Sequence, residues 1–147
     1  MFIHATSVAL RASPRQPWRA VLLRGASGAG KSDLALRLIQ AGGRLIADDQ
    51  THLAIEGRAL IASSPASIAG RIEVRGLGIV ELPRGRLLAR APVALLVDLV
   101  PAEKIERLPE RAQEMQQGVA LPVVALAPFE ASAVAKLLLA FNRIRAA

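Results

Sequence analysis

One stretch, GASGAGKS from Gly25 to Ser32, limits what this chain can fold into more than any other. It fits the pattern G-x-x-x-x-G-K-[ST] through Gly25, Gly30, Lys31 and Ser32. Glycines accept backbone conformations that other residues resist, so the N–H groups of Gly25, Ala26, Ser27, Gly28, Ala29 and Gly30 can turn inward on phosphate oxygens. Lys31 would neutralise the β- and γ-phosphates of a nucleotide, and the Ser32 hydroxyl would ligate Mg²⁺. Context decides whether such a stretch is more than a flexible turn. Upstream, WRAVLLRG from Trp18 to Gly25 is an apolar run of the kind a buried strand makes. Downstream, Lys31–Ala41 places Leu34, Leu38 and Ala41 on one helical face and stops at Gly42 and Gly43. RLIA, Arg44–Ala47, is then a second buried strand that delivers Asp48 and Asp49 at its end. This strand–loop–helix–strand unit predicts an α/β fold with a phosphate site at its centre.

The 147 residues suit a single domain spanning 1–147, and a 52% hydrophobic content is enough for its core. Aromatic residues supply only 3%, so that core must be built from Ala, Leu, Val and Ile. The same scarcity leaves little to stack against bases, so nucleic acid is not expected as the partner despite a net charge of +7. The basic residues are nearly all arginines, scattered singly. Cysteine is absent, which excludes disulfides and thiolate metal sites. MFIHATSVALRA lacks a basic start, and Arg11 cuts short its apolar run, unlike a secretory signal. No run of about 18 apolar residues occurs, so no membrane span is expected and a cytoplasmic location is.

Beyond the central unit the expected elements are shorter. Val8–Leu10 reads as a strand before a polar turn, and THLAIEGRALIASSP as a hairpin turning at Glu56 and Gly57. APVALLVDLVP reads as a central strand, and the tail from Phe129 has helical periodicity with basic residues at its end.

A phosphate loop alone does not say where the phosphate goes. The guanine-reading N-K-x-D of GTPases is missing. A motor or transport ATPase usually has a larger chain and an apolar strand ending in a Walker-B acid; VALLVDLV offers Asp98, but apolar residues follow it. Kinase-like transfer needs a base for the acceptor, and Asp48 and Asp49 are the candidates. Strands flanking a crossover helix in a parallel sheet end at the same edge, which brings this pair beside the phosphate loop. One carboxylate can then assist Mg²⁺ while the other accepts a proton from an attacking hydroxyl. The competing reading is a pair that caps a turn or faces solvent.

At these residues the chain resembles the catalytic domain of the HPr kinase/phosphorylase family, bifunctional bacterial regulators of the phosphotransferase system. GASGAGKSDLALRLIQAGGRLIADD is similar to that family's phosphate loop, helix and ADD strand, IEVRGLGIVEL (Ile72–Leu82) to its signature, and IHATSVAL to the segment with its catalytic histidine. The resemblance implies a P-loop-containing HPr kinase-like α/β fold, related to phosphoenolpyruvate carboxykinase, with a mixed sheet. It also implies a short form made of the catalytic domain only. Its further implications are ATP and Mg²⁺ as co-substrate and cofactor, HPr or an HPr-like phosphocarrier as partner, and a homo-oligomer, specifically a hexamer. Carried over residue by residue, Lys31 grips the phosphates, Ser32 and Glu73 hold Mg²⁺ with Asp48 nearby, and Asp49 is the proton acceptor. His4 joins the catalytic constellation, and Arg107 in KIERLPE is similar to an active-site arginine. Read without the family, Glu73 alternates with Ile72 and Val74 and could face solvent, Arg75 suits a phosphate contact or a salt bridge, and a lone His4 suits a structural role.

One departure bears on the direction of the reaction. The family pattern closes its catalytic region with a basic, glycine-containing loop associated with phosphorolysis, whereas LPVVALAPFEAS (Leu121–Ser132) holds no arginine. An arginine there would bind phosphate or phosphoserine. The expected activity is therefore a protein serine kinase. A small-molecule kinase and a nucleotide-sensing module without transfer activity are the rival readings.

Overall fold

The structure is a computed structural model in which residues 1–144 are described. The elements in chain order are β1 (Phe2–Ile3), β2 (Ala5–Leu10), β3 (Arg19–Arg24), α1 (Lys31–Gln40), β4 (Arg44–Ala47), β5 (Thr51–Glu56) and β6 (Ala59–Ser63). There follow β7 (Arg71–Val74), β8 (Gly78–Glu81), β9 (Arg90–Leu99), β10 (Ala112–Gln116), β11 (Val119–Leu126) and α2 (Ala133–Asn142).

Among the described residues the main sheet has nine strands, in the order β1-β5-β6-β9-β3-β2-β4, with β11 also on β9 and β10 on β11. It is mixed. Strand β3 runs parallel to β9, and β9 parallel to β11. The two strands flanking α1 share a direction, but they are not neighbours. Strand β2 lies between them, antiparallel to both β3 and β4. Its first half holds Thr6 and Ser7, both fully buried, which is why apolar runs alone suggest a strand only from Val8. Strand β9 forks the sheet: residues Arg90–Pro92 pair with β6 and Leu96–Leu99 with β11.

Both faces of the sheet are buried. Odd-numbered Val21 and Leu23 of β3 pack with Leu34, Ala35, Leu38 and Ile39 of α1 and with Leu137 and Phe141 of α2. Ala20 and Leu22 face the opposite way, into a layer with Leu53, Leu60, Leu96 and Leu121. That layer includes Ala5, Ala9, Ala62 and Ala91, small side chains that let the curled strands approach without aromatic filling. Helix α1 departs from expectation at one position. Ala41 is its C-cap and exposed, and Ala35 and Ile39 take the buried places beside Leu34 and Leu38. Gly42 follows at φ 108°, where glycine ends a helix at least cost.

Two further differences concern the C-terminal third. The stretch LPVVAL is not loop but most of β11, hairpinned with β10. Pro122 argues against a central strand. It is tolerated because β11 pairs with β9 only from Val123 onward. The last helix begins at Ala133 rather than Phe129, because two consecutive turns occupy the stretch: the Glu130 N–H donates to Ala127 O (3.3 Å) and the Ala133 N–H to Glu130 O (3.1 Å). The expected basic end of the tail includes Arg145, which lies outside the described residues.

Candidate active site

The parallel strands β3, β9 and β11 end at one edge of the sheet, and the loop after β3 begins there. Gly28 and Gly30 sit at φ 82° and 102°, in the left-handed region that glycine alone enters freely. Gly30 is the N-cap of α1 and provides no side-chain cap. The first-turn N–H groups of the helix are thus left to receive an anion, with the dipole favouring one. A Cβ at Gly30 would stand 2.9 Å from Cζ of Phe129, so the ring would have to shift to admit one. Lys31 is buried, and its Nζ donates back to the carbonyls of Gly25 (2.7 Å) and Ala26 (3.2 Å). It is thereby held over the loop's concavity.

Asp48 and Asp49 leave the end of β4 in different environments. Asp48 is buried, and three donors reach it: Thr6 Oγ1 (3.0 Å) and Ser32 Oγ (2.7 Å) at Oδ1, and the Glu73 N–H (2.9 Å) at Oδ2. Asp49 turns outward. It takes φ 65°, unusual for a residue with a side chain but tolerated by aspartate. Thr6 holds it there, accepting the Asp49 N–H at 3.0 Å. Such backbone conformations cost about 1–3 kcal/mol and persist where the surroundings impose them. The consequence is placement. The Asp49 carboxylate is 61% exposed at the mouth of the loop, 2.6 Å from His4 Nε2 and 3.7 Å from Lys31 Nζ.

A cleft of about 560 Å³ opens over this group. Ser27, Gly28, Gly30, Lys31 and Ser32 form its floor, and Asp49 with Phe129 stands at its side. Its far wall is the β7–β8 hairpin, paired apart from the main sheet. In β7, Ile72 points into the core while Glu73 is exposed, and Glu73 and Arg75 both line the cleft. Ala26 and Ala29 shape the loop from outside the lining, joined by an Ala29 N–H to Ala26 O hydrogen bond of 3.0 Å.

The structure thus brings His4, Lys31, Ser32, Asp48, Asp49 and Glu73 together. Arg107 it does not: this side chain is exposed in the segment between β9 and β10 and is not among the residues lining the cleft. Asp98, the acid that the apolar strand offered, is occupied. Arg24 reaches it through Nε (2.7 Å) and Nη2 (3.1 Å), and reaches Glu114 through Nη1 (2.5 Å) and Nη2 (3.0 Å). This pairing holds the Arg24 guanidinium pKa above its ordinary value, Glu114 contributing most. The Arg24 bonds likewise lower the Glu114 carboxyl. Sequence reasoning missed Thr6 and Phe129. A threonine within an apolar strand beside a motif histidine was the available signal for Thr6; Phe129 offered none, because its role depends on a loop packing back on Gly30.

The donors suit a magnesium–nucleotide. All are hard oxygens: the Ser32 hydroxyl and the Asp48 and Glu73 carboxylates. No group of three or more His, Asp or Glu gathers to hold a cation by protein alone among the described residues. Magnesium characteristically combines one or two carboxylates with substrate phosphates.

A buried strand, a glycine loop, a lysine at the first helical position and a carboxylate at the end of the strand that follows the helix define the class of phosphate-loop proteins. Its relatives narrow this further. The profile of the family described as HPr Serine kinase C-terminal domain matches residues 19–141, and the chain belongs to that family. HPr kinase/phosphorylase of Clostridium tetani is 53% identical over 64 residues, covering 43% of this chain and 21% of that protein. Its counterpart in Limosilactobacillus reuteri is 34% identical over 115 residues, covering 72% and 36%. The chain spans about a third or less of the length of these curated relatives. The solved Hpr(Ser) kinase/phosphatase of Coxiella burnetii superposes with a TM-score of 0.81 at 26% identity, covering 97% of this chain and 88% of that one. The mixed α/β fold is that of this catalytic domain.

Proposed function

We propose that this chain is an ATP- and Mg²⁺-dependent protein serine kinase, a single catalytic unit that phosphorylates HPr or an HPr-like phosphocarrier in the cytoplasm. The observation that carries the reading is Asp49, an exposed carboxylate 3.7 Å from the phosphate-loop lysine and hydrogen-bonded to His4 at 2.6 Å. A sensing module has no use for a base in that position.

The loop N–H groups and Lys31 hold the triphosphate of the co-substrate. Ser32 and Glu73 would hold Mg²⁺ directly and Asp48, with both oxygens already engaged, would do so through Ser32; the ion supplies charge neutralisation on the phosphates. Asp49 accepts the proton of the serine hydroxyl as its Oγ attacks the γ-phosphorus and the bond to the β-phosphate oxygen breaks. His4 keeps the Asp49 carboxylate oriented and offers the proton a path to solvent.

A protein acceptor is favoured over a metabolite by the rim. Leu77 and Ile79, at the tip of the β7–β8 hairpin, are 77% and 65% exposed beside the cleft, a surface suited to another protein. The lack of arginine over residues 121–132 favours the forward direction over phosphorolysis. Exposed Leu108, Met115 and Leu139 offer contacts for the homo-hexamer that the family resemblance implies, testable by light scattering.

The test is transfer from labelled ATP with Mg²⁺ to a purified HPr-like carrier, using wild type and Asp49→Asn. Wild type should label one carrier serine, while D49N binds ATP normally and transfers nothing. Label on a metabolite instead of the carrier overturns the protein-kinase reading, and equal loss of binding and transfer in D49N overturns the base assignment.

A further inference from the structure

Phe129 belongs to two depressions. On one side it walls the phosphate-loop cleft, and on the other a second recess of about 310 Å³. Val100, Pro101 and Ala102, which follow β9, form one wall of this recess; Ala127, Pro128 and Phe129, which follow β11, form the other. Both segments leave the carboxyl ends of strands parallel to β3, the edge at which open α/β sheets take their ligands. The ring is 71% exposed, yet its loop is anchored, because Arg37 of α1 donates to the Pro128 carbonyl while pairing with Asp33 at 3.0 Å.

The polar groups of the recess are largely spent. The Val100 N–H donates to Leu126 O (3.0 Å), while the carbonyls of Pro101 and Ala102 accept from Lys104 (3.0 Å) and Ile105 (3.2 Å). Glu130, its one ionisable side chain, accepts from Lys136 Nζ at 2.7 Å. What remains is the Phe129 ring together with valine, proline and alanine side chains.

We propose that this recess receives the base of the nucleotide whose phosphates lie on Gly25–Ser32, with the base stacked on Phe129. The inference rests on the nucleotide-dependent reading above and adds a specificity: the base is held by its face, not by its edge. Every base has such a face, so ATP and GTP bind alike.

Calorimetric titration of the full chain with Mg–ATP, Mg–GTP and Mg–tripolyphosphate tests this. Wild type should bind ATP and GTP within about threefold of each other, and tripolyphosphate about tenfold more weakly. Phe129→Ala should weaken ATP about tenfold. Ala102→Trp, which fills the recess away from the phosphate loop, should weaken ATP similarly and leave tripolyphosphate unchanged. In Phe129→Trp the indole emission should be quenched by ATP but not by tripolyphosphate. The subsite is refuted if both variants leave the ATP-to-tripolyphosphate ratio at its wild-type value, because Phe129 then acts only on Gly30. A tenfold or greater preference between ATP and GTP refutes recognition by stacking. Failure of wild type to bind either ATP or tripolyphosphate overturns the phosphate-loop reading itself, and this proposal with it.

Discussion

Thr6 is the buried hinge of the site, and its replacement by valine tests the geometry most directly. Its hydroxyl donates to Asp48 Oδ1 and accepts the Asp49 N–H, both at 3.0 Å, in a fully buried position. Valine preserves the shape and removes both bonds. Loss of the bond to the charged carboxylate costs about 1.5–3 kcal/mol, and the stranded N–H adds to it at the lower end of the 1–3 kcal/mol range, because Asp49 is near solvent. Asp48 keeps its bonds from Ser32 and Glu73, so a total of about 2–4 kcal/mol is expected. For a chain of this size that lowers Tm by about 6–12 °C. Asp49 also loses the tether that holds φ at 65°. A carboxylate displaced by about 1 Å reduces kcat on the order of 10²-fold, while KM for ATP moves little. Thr6→Ser keeps both hydrogen bonds and should cost only about 1 kcal/mol for the lost methyl, with kcat near wild type. Thermal melts and carrier phosphorylation assays on both variants decide the matter. Equal stability and equal kcat for T6V and T6S would refute the claim that this hydroxyl positions the acid pair.

Other outcomes follow from the same structure. Glu114→Gln removes a carboxylate whose folded-state pKa is lowered by Arg24. Its contribution is present above the ordinary glutamate range and is lost as pH falls through the depressed folded value, so the gap in urea midpoint between wild type and E114Q should close on acidification. Gly30→Ala meets both a φ of 102° and the Phe129 ring at 2.9 Å. It should weaken ATP binding at least tenfold by titration and destabilise the fold by about 1–3 kcal/mol, whereas Gly28→Ala, at φ 82° with nothing within 4 Å, meets backbone strain alone and should be milder.

Some of this was legible in the chain itself. The strand, loop, helix and second strand over 18–49 follow from apolar runs and from glycines whose conformational freedom matters locally, and the structure places them within a residue or two. Glu73 was readable as exposed from its alternation with Ile72 and Val74, and it is. Elsewhere local signals misled. Pro122 hid a strand whose ladder on β9 begins one residue later. Ala41 fitted the helical period but fell past the last turn. The tail's periodicity ran back to Phe129, while the chain there folds onto Gly30 instead of into a helix.

The residues alone pointed to a loop shaped for phosphate with acids near it, because such a loop is built from backbone conformations set within eight positions. Tertiary structure decided where those acids sit and what they touch. His4 and Asp49 are 45 positions apart, and Arg24 and Glu114 are 90. Each pair meets only because burial of apolar faces orders the sheet. Strand β2, inserted between β3 and β4, brings Thr6 and His4 to the acid pair. The result is one aspartate buried and spent on hydrogen bonds, and its neighbour turned outward at the mouth of the loop, beside His4 and Lys31.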